Sequence, residues 1–132
     1  MKQSPLLEFE SAAFADARGE DERTNPGTSG RALAEWLAQK LRAQCFPSTE
    51  VIPEDFGWCV SLESKPHKLY VACASAEELP NHWRVFVFAE GALMARVFGK
   101  DKSSESVAAA YAAVKQALQG SAQVHGLREE SA

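Results

Sequence analysis

The chain has 132 residues, enough for one domain that buries roughly two-thirds of its unfolded surface. Apolar residues at 45% and charged residues at 24% exclude a disordered or fibrous chain. The formal net charge of −4, with no cluster of Lys and Arg, excludes duplex DNA as an expected partner.

The opening Met1-Lys2-Gln3-Ser4-Pro5 has no long apolar run after its Lys, so no signal peptide is expected. No apolar run approaches the roughly 20 residues of a membrane-spanning helix. The cysteines are Cys45, Cys59 and Cys73, an odd number without a C-x-x-C pair. Together these predict reduced thiols and a cytoplasmic protein.

Leu7-Glu8-Phe9-Glu10 alternates apolar and acidic residues, which predicts a short strand at a sheet edge with both carboxylates outward. Residues 15–30 are polar, and Asn25-Pro26-Gly27 predicts a turn, with Pro presetting φ and Gly tolerating positive φ. A helix follows, capped by Thr28 or Ser29, with Leu33, Trp36, Leu37, Leu41 and Cys45 on one face and Pro47 as its stop.

Four strands come next. Trp58–Leu62 alternates with Trp58, Val60 and Leu62 on one face, and Leu69–Ala74 is apolar on both faces, as in a central strand. A four-residue loop between them sets Trp58, Val60 and Leu62 beside Leu69, Val71 and Cys73, and puts Cys59 and Cys73 on opposite faces. Trp83–Ala89 and Ala92–Phe98 complete the run, with a turn at Glu90-Gly91. A three-residue turn is favoured because it keeps one face apolar, although it sets Arg84 opposite Arg96. Asp101 or Ser103 then caps an Ala-rich helix bearing Val107, Tyr111, Val114 and Leu118, with Gly120 as its stop.

The expected architecture is a single α+β domain over residues 1–120, in β-α-β-β-β-β-α order. Its sheet is mostly antiparallel, two helices pack on it, and residues 121–132 form a frayed tail.

Glu54-Asp55-Phe56-Gly57-Trp58-Cys59 is the segment richest in reactive groups. Paired carboxylates at Glu54 and Asp55 suit general acid–base or metal chemistry, but adjacent acids on an extended chain point apart, and turn-forming acids beside a core Trp is the favoured reading. Cys59 with His67 or His82 as base is weaker than Cys59 as a small buried hydrophobe. His67, His82 and His125 are too scattered for a zinc site. Phe98-Gly99-Lys100-Asp101-Lys102-Ser103 lacks the glycine spacing of a phosphate loop. No metal or cofactor is expected, and the balance is against an enzyme.

The second face of the predicted sheet carries Tyr70, Phe86, Phe88 and Met94 among Arg84, Arg96 and Glu63, a composition that resembles an interface. The competing reading is that the protein's own chain covers this face.

The Asn25-Pro26-Gly27 turn, the Leu33-Ala34-Glu35-Trp36-Leu37 helix and the Glu54-to-Val60 segment together resemble a family of small uncharacterised bacterial proteins. The resemblance runs from about Phe9 through the last helix. It implies a bacterial cytoplasmic origin and an α+β fold, and it carries over no catalytic role. It directs attention to the loops at Asp21–Arg31 and Glu54–Trp58, where Arg23 or Arg31 would meet Glu54 or Asp55 as a binding site or as a structural clamp. The candidate binding residues are therefore Asn25, Arg31, Glu54, Asp55 and Trp58. The candidate interface is Tyr70, Arg84, Phe86, Phe88, Met94 and Arg96.

The leading functional expectation is a non-catalytic module that binds a protein partner or a second copy of itself. One alternative is a small enzyme or ligand-binding protein with a pocket between Glu54/Asp55 and the Arg23–Arg31 loop. Another is an accessory or toxin-neutralising protein.

Overall fold

A computed structural model describes residues 3–14, 30–44, 46, 49–54, 57–63, 68–75, 81–89 and 103–130. The elements in chain order are β1 (Leu6–Glu10), α1 (Arg31–Ala43), β2 (Thr49–Glu54), β3 (Gly57–Glu63), β4 (Lys68–Ser75), β5 (His82–Ala89), α2 (Ser103–Gln119) and β6 (His125–Glu130). The strands form one sheet in the order β2-β3-β4-β5-β1-β6, and each neighbouring pair is antiparallel.

The centre of the sheet follows the alternation of its sequence. Trp58 pairs with Cys73, Val60 with Val71 and Leu62 with Leu69, which is the expected register. A slip by one residue would turn the three side chains of the slipped strand away from the core and mix the faces. On the next ladder Cys73 faces Val85 and Val71 faces Val87. These side chains share one face, and they are fully buried or nearly so.

Both helices pack on that face. α1 buries Leu33, Ala34, Leu37, Ala38 and Leu41, and α2 contributes Val107, Ala110, Val114 and Leu118 to the same core. The amide of Gln44, at the end of α1, donates to the Ala113 carbonyl and ties the two helices together. Among the described residues the result has two layers, with both helices over one sheet face. An aromatic nest at one end of the same core holds the chain after β1. The Phe14 ring meets Phe9, Trp36 and Trp83 at centroid distances of 6.4, 5.3 and 6.3 Å.

The structure departs from the expected elements in four places. First, β2 was not foreseen: Val51-Ile52 is a short apolar run, and Pro53 removes a ladder donor, which confines such a strand to an edge. Second, residues 125–130 form a strand on β1 instead of a frayed tail. Its sequence His-Gly-Leu-Arg-Glu-Glu has one apolar residue, so no local pattern marks it. Third, β1 is consequently interior, between β5 and β6. Its carboxylates face outward as expected, but each meets a basic residue on a neighbouring strand. Fourth, α1 begins after Gly30, with no side-chain cap, in place of a Thr28 or Ser29 cap. The expected strand at Ala92–Phe98 and the Glu90-Gly91 turn lie outside the described residues.

Candidate functional site

The sheet face away from the helices is built by the alternate residues of each strand. Across its middle run Ile52, Cys59, Ala72 and Phe86, set side by side by the ladders, and the alternation of β1 puts Leu6 on the same face. One row along, Ser61, Tyr70 and Phe88 are neighbours. In the opposite direction come Glu54, Ala74, Arg84, Glu8 and Arg128. One part of this outer face is therefore aromatic and aliphatic, and the other is charged.

In the aromatic part, Tyr70 and Phe88 stack at 5.2 Å with 21° between their planes, and Phe86 leans on Phe88 at 5.9 Å. The Lys68 ammonium sits 5.8 Å above the Tyr70 ring. Tyr70, Phe86, Phe88, Ile52 and Leu6 are each half-buried. The middle of the face is closed: Cys59 and Ala72 are buried, with exposures of 1% and 0%. The half-buried part of this face among the described residues is accordingly the fringe along β5 and the neighbouring part of β4.

In the charged part, Glu8 takes two cations. Arg84 Nε lies 3.2 Å from one carboxylate oxygen and Arg128 Nη2 lies 3.0 Å from the other. His82 Nε2 stands 2.6 Å from Glu10 Oε1. This row joins β5, β1 and β6 across the outer face.

The candidate binding residues are brought together only in part. The Arg31 guanidinium lies 5.4 Å from the centroid of the Trp58 ring, and its Nε is 3.1 Å from Glu35. This contact is on the helix side. Glu54 is on the outer side, where its charge acts on Cys59. Arg31 and Glu54 are thus on opposite faces. His82 lies three strands from β2, roughly 14 Å at about 4.8 Å per strand. Asn25, Asp55, Met94, Arg96, Arg23 and His67 lie outside the described residues. Among the described residues no group of three His, Cys, Asp or Glu side chains is placed to hold a metal ion. No described helix is long and apolar enough to cross a membrane.

The two described thiols are poor nucleophiles. Burial, and secondarily the Glu54 carboxylate, pushes the Cys59 pKa up to about 12. Burial, with a lesser contribution from Cys59, raises that of Cys73 well above the ordinary thiol range. At pH 8 a thiol of pKa near 12 is thiolate in only about one molecule in ten thousand, and the thiolate is the reacting form. Ellman's reagent at pH 8 is therefore expected to titrate at most one of the three cysteines in the native protein, and all three in denaturant. Two fast-reacting native thiols would contradict this burial.

Sequence reasoning missed the Glu8–Arg84–Arg128 network, because its members come from three strands that are distant in the chain. The one signal in the residues themselves is the outward carboxylates of Leu6-Leu7-Glu8-Phe9-Glu10, which by local pattern suit a sheet edge. No protein-family model, curated protein or solved structure matches the chain.

Proposed function

We propose that the protein is a non-catalytic interaction module that binds a protein partner through the aromatic fringe of its outer sheet face. The observation that carries this reading is the placement of both helices on one face, while the Tyr70–Phe88 stack and Phe86 stay half-buried on the other. Aromatic residues beside Arg, with few aliphatic charges at the centre, are the composition of an interface core. The ion-paired row at Glu8, Arg84 and Arg128 supplies a polar rim. The edges are less suited to pairing: β2 carries Pro53 and β6 is charged along its length. The separation of Arg31 from Glu54 and His82 also favours binding over catalysis.

The test is affinity capture with the native chain and with a Tyr70→Ala/Phe88→Ala variant. Aromatic anchors of this kind carry about 2 kcal/mol or more each, so the double variant is expected to lose on the order of several hundred-fold in affinity for the captured protein. A wild-type chain that sediments as a strict monomer and captures nothing contradicts the proposal. So does a variant that binds like wild type.

A further inference from the structure

Strand β6 differs from the rest of the sheet in what holds it. Leu127 is its one half-buried side chain, and the other five are exposed. Its register on β1 breaks between Glu8 and Glu10, and Gly126 has a φ of 63°. Its side-chain attachments are polar and near the surface. Arg128 reaches Glu8, while Glu129 accepts from the Tyr111 hydroxyl and lies 3.3 Å from Lys115 Nζ. Exposed pairs of this kind add little stability.

β1 is held quite differently. Leu7 and Phe9 are buried in the core, and β5 pairs with the other side of β1. Glu8 keeps Arg84 when Arg128 is removed. Departure of β6 would therefore leave β1 in place with an open edge. Within β1 that edge has no Pro, in contrast to Pro53 on β2, and its charges, Glu8 and Glu10, are carboxylates that a cationic incoming strand can meet.

We infer that β6 is a detachable strand, and that the β1 edge beneath it is a docking site for an extended partner segment bearing an apolar–basic–acidic triplet. The surroundings dictate the triplet. Opposite Glu8 the incoming residue meets the carboxylate oxygen that Arg84 does not take, which favours a cation, as Arg128 is. The next residue lies opposite Leu7, beneath the Tyr111 hydroxyl and the Lys115 ammonium, so it must be acidic, as Glu129 is. The residue before the cation packs against the core, as Leu127 does. Main-chain pairing supplies affinity and these three positions supply selectivity, which is the mode of β-strand addition.

Two measurements on the full chain test this. In native hydrogen exchange, the amides of β6 are expected to exchange at least about 100-fold faster than those of β4, as a locally opening unit does. A fluorescent peptide with the sequence of residues 121–132 is then titrated into wild type and into an Arg128→Glu/Glu129→Lys chain, whose own strand is weakened. Binding to the variant is expected to be at least 10-fold tighter than to wild type. A peptide carrying the same two charge reversals is expected not to bind. Equal exchange in β6 and β4 overturns the inference, as does a peptide that binds neither chain. A variant that dimerises by exchanging strands and ignores the peptide assigns the edge to a second copy and overturns the partner segment.

Discussion

Trp58→Ala is expected to destabilise the fold by about 3–5 kcal/mol, the usual cost of removing a large ring from a packed core. Trp58 is 2% exposed, faces Cys73 across the ladder and lies beneath the Arg31 guanidinium. Its indole N–H is buried without a hydrogen-bond partner among the described residues. Phenylalanine at this position removes that orphaned donor as well as part of the ring, so Trp58→Phe should cost only roughly 1–2 kcal/mol. Trp83 provides the comparison. It is equally buried, but its indole N–H donates to the Ser11 carbonyl at 3.0 Å. Trp83→Phe strands that carbonyl, which adds about 1–3 kcal/mol. Urea unfolding with an unchanged m-value reads the order directly: Trp58→Ala costs most, then Trp83→Phe, then Trp58→Phe. A Trp58→Phe variant weaker than Trp83→Phe would show that the Trp58 indole has a partner after all.

The second large effect is expected at Gly30. This residue has a φ of 141°, in the region that side chains avoid, and its carbonyl accepts the first helical hydrogen bond of α1, from the Ala34 amide. A Cβ added there would lie 2.8 Å from the Cys73 carbonyl oxygen and 3.2 Å from its carbon. Both atoms belong to the backbone of a central strand, which cannot step aside without breaking its ladder. Strain and overpacking together should make Gly30→Ala cost roughly 2–4 kcal/mol. Gly120→Ala is the control. Its added Cβ would sit 3.3 Å from the Gln116 carbonyl at the exposed end of α2, so it should cost under about 1 kcal/mol. Similar midpoints for the two variants would refute the close approach of α1 to β4.

Gly30 also shows where local sequence reasoning stops. The sequence pattern located α1 well, because Leu33, Leu37 and Leu41 recur at helical spacing and all three are buried. The start of the helix is set by contact with Cys73, more than 40 residues away in the chain, and no cap preference reports that. The β3–β4 register was legible because alternation and loop length specify it jointly. β2 was not, because Pro53 argues locally against a strand, while the edge position that permits it is a property of the whole sheet. β6 was not legible either, since its pairing rests on β1 and on charges at Glu8 and Tyr111–Lys115.

The candidate site divides in the same way. Tyr70, Phe86 and Phe88 were readable as one face because strand periodicity is local. Of the pairings open if the two loops met, that of Arg31 with Glu54 is set apart by the same periodicity, since Pro53 and Trp58 face the helices and Glu54 and Cys59 face away, while Arg23 and Asp55 lie outside the described residues. What surrounds the aromatic fringe, above all Glu8 bridging Arg84 and Arg128, depends on strand order, which the one-dimensional pattern does not contain.

A binding role for the outer fringe requires that Tyr70, Phe86 and Phe88 be reachable by a partner while the helix face stays closed. Hydroxyl-radical footprinting read residue by residue along β5 tests it most directly, because the strand carries its own control. Phe86 and Phe88 are expected to be oxidised readily together with Tyr70, while Val85 and Val87, which are fully buried on the helix side, stay protected. Protection of Phe86 and Phe88 equal to that of Val85 and Val87 in the isolated protein would contradict an available binding face.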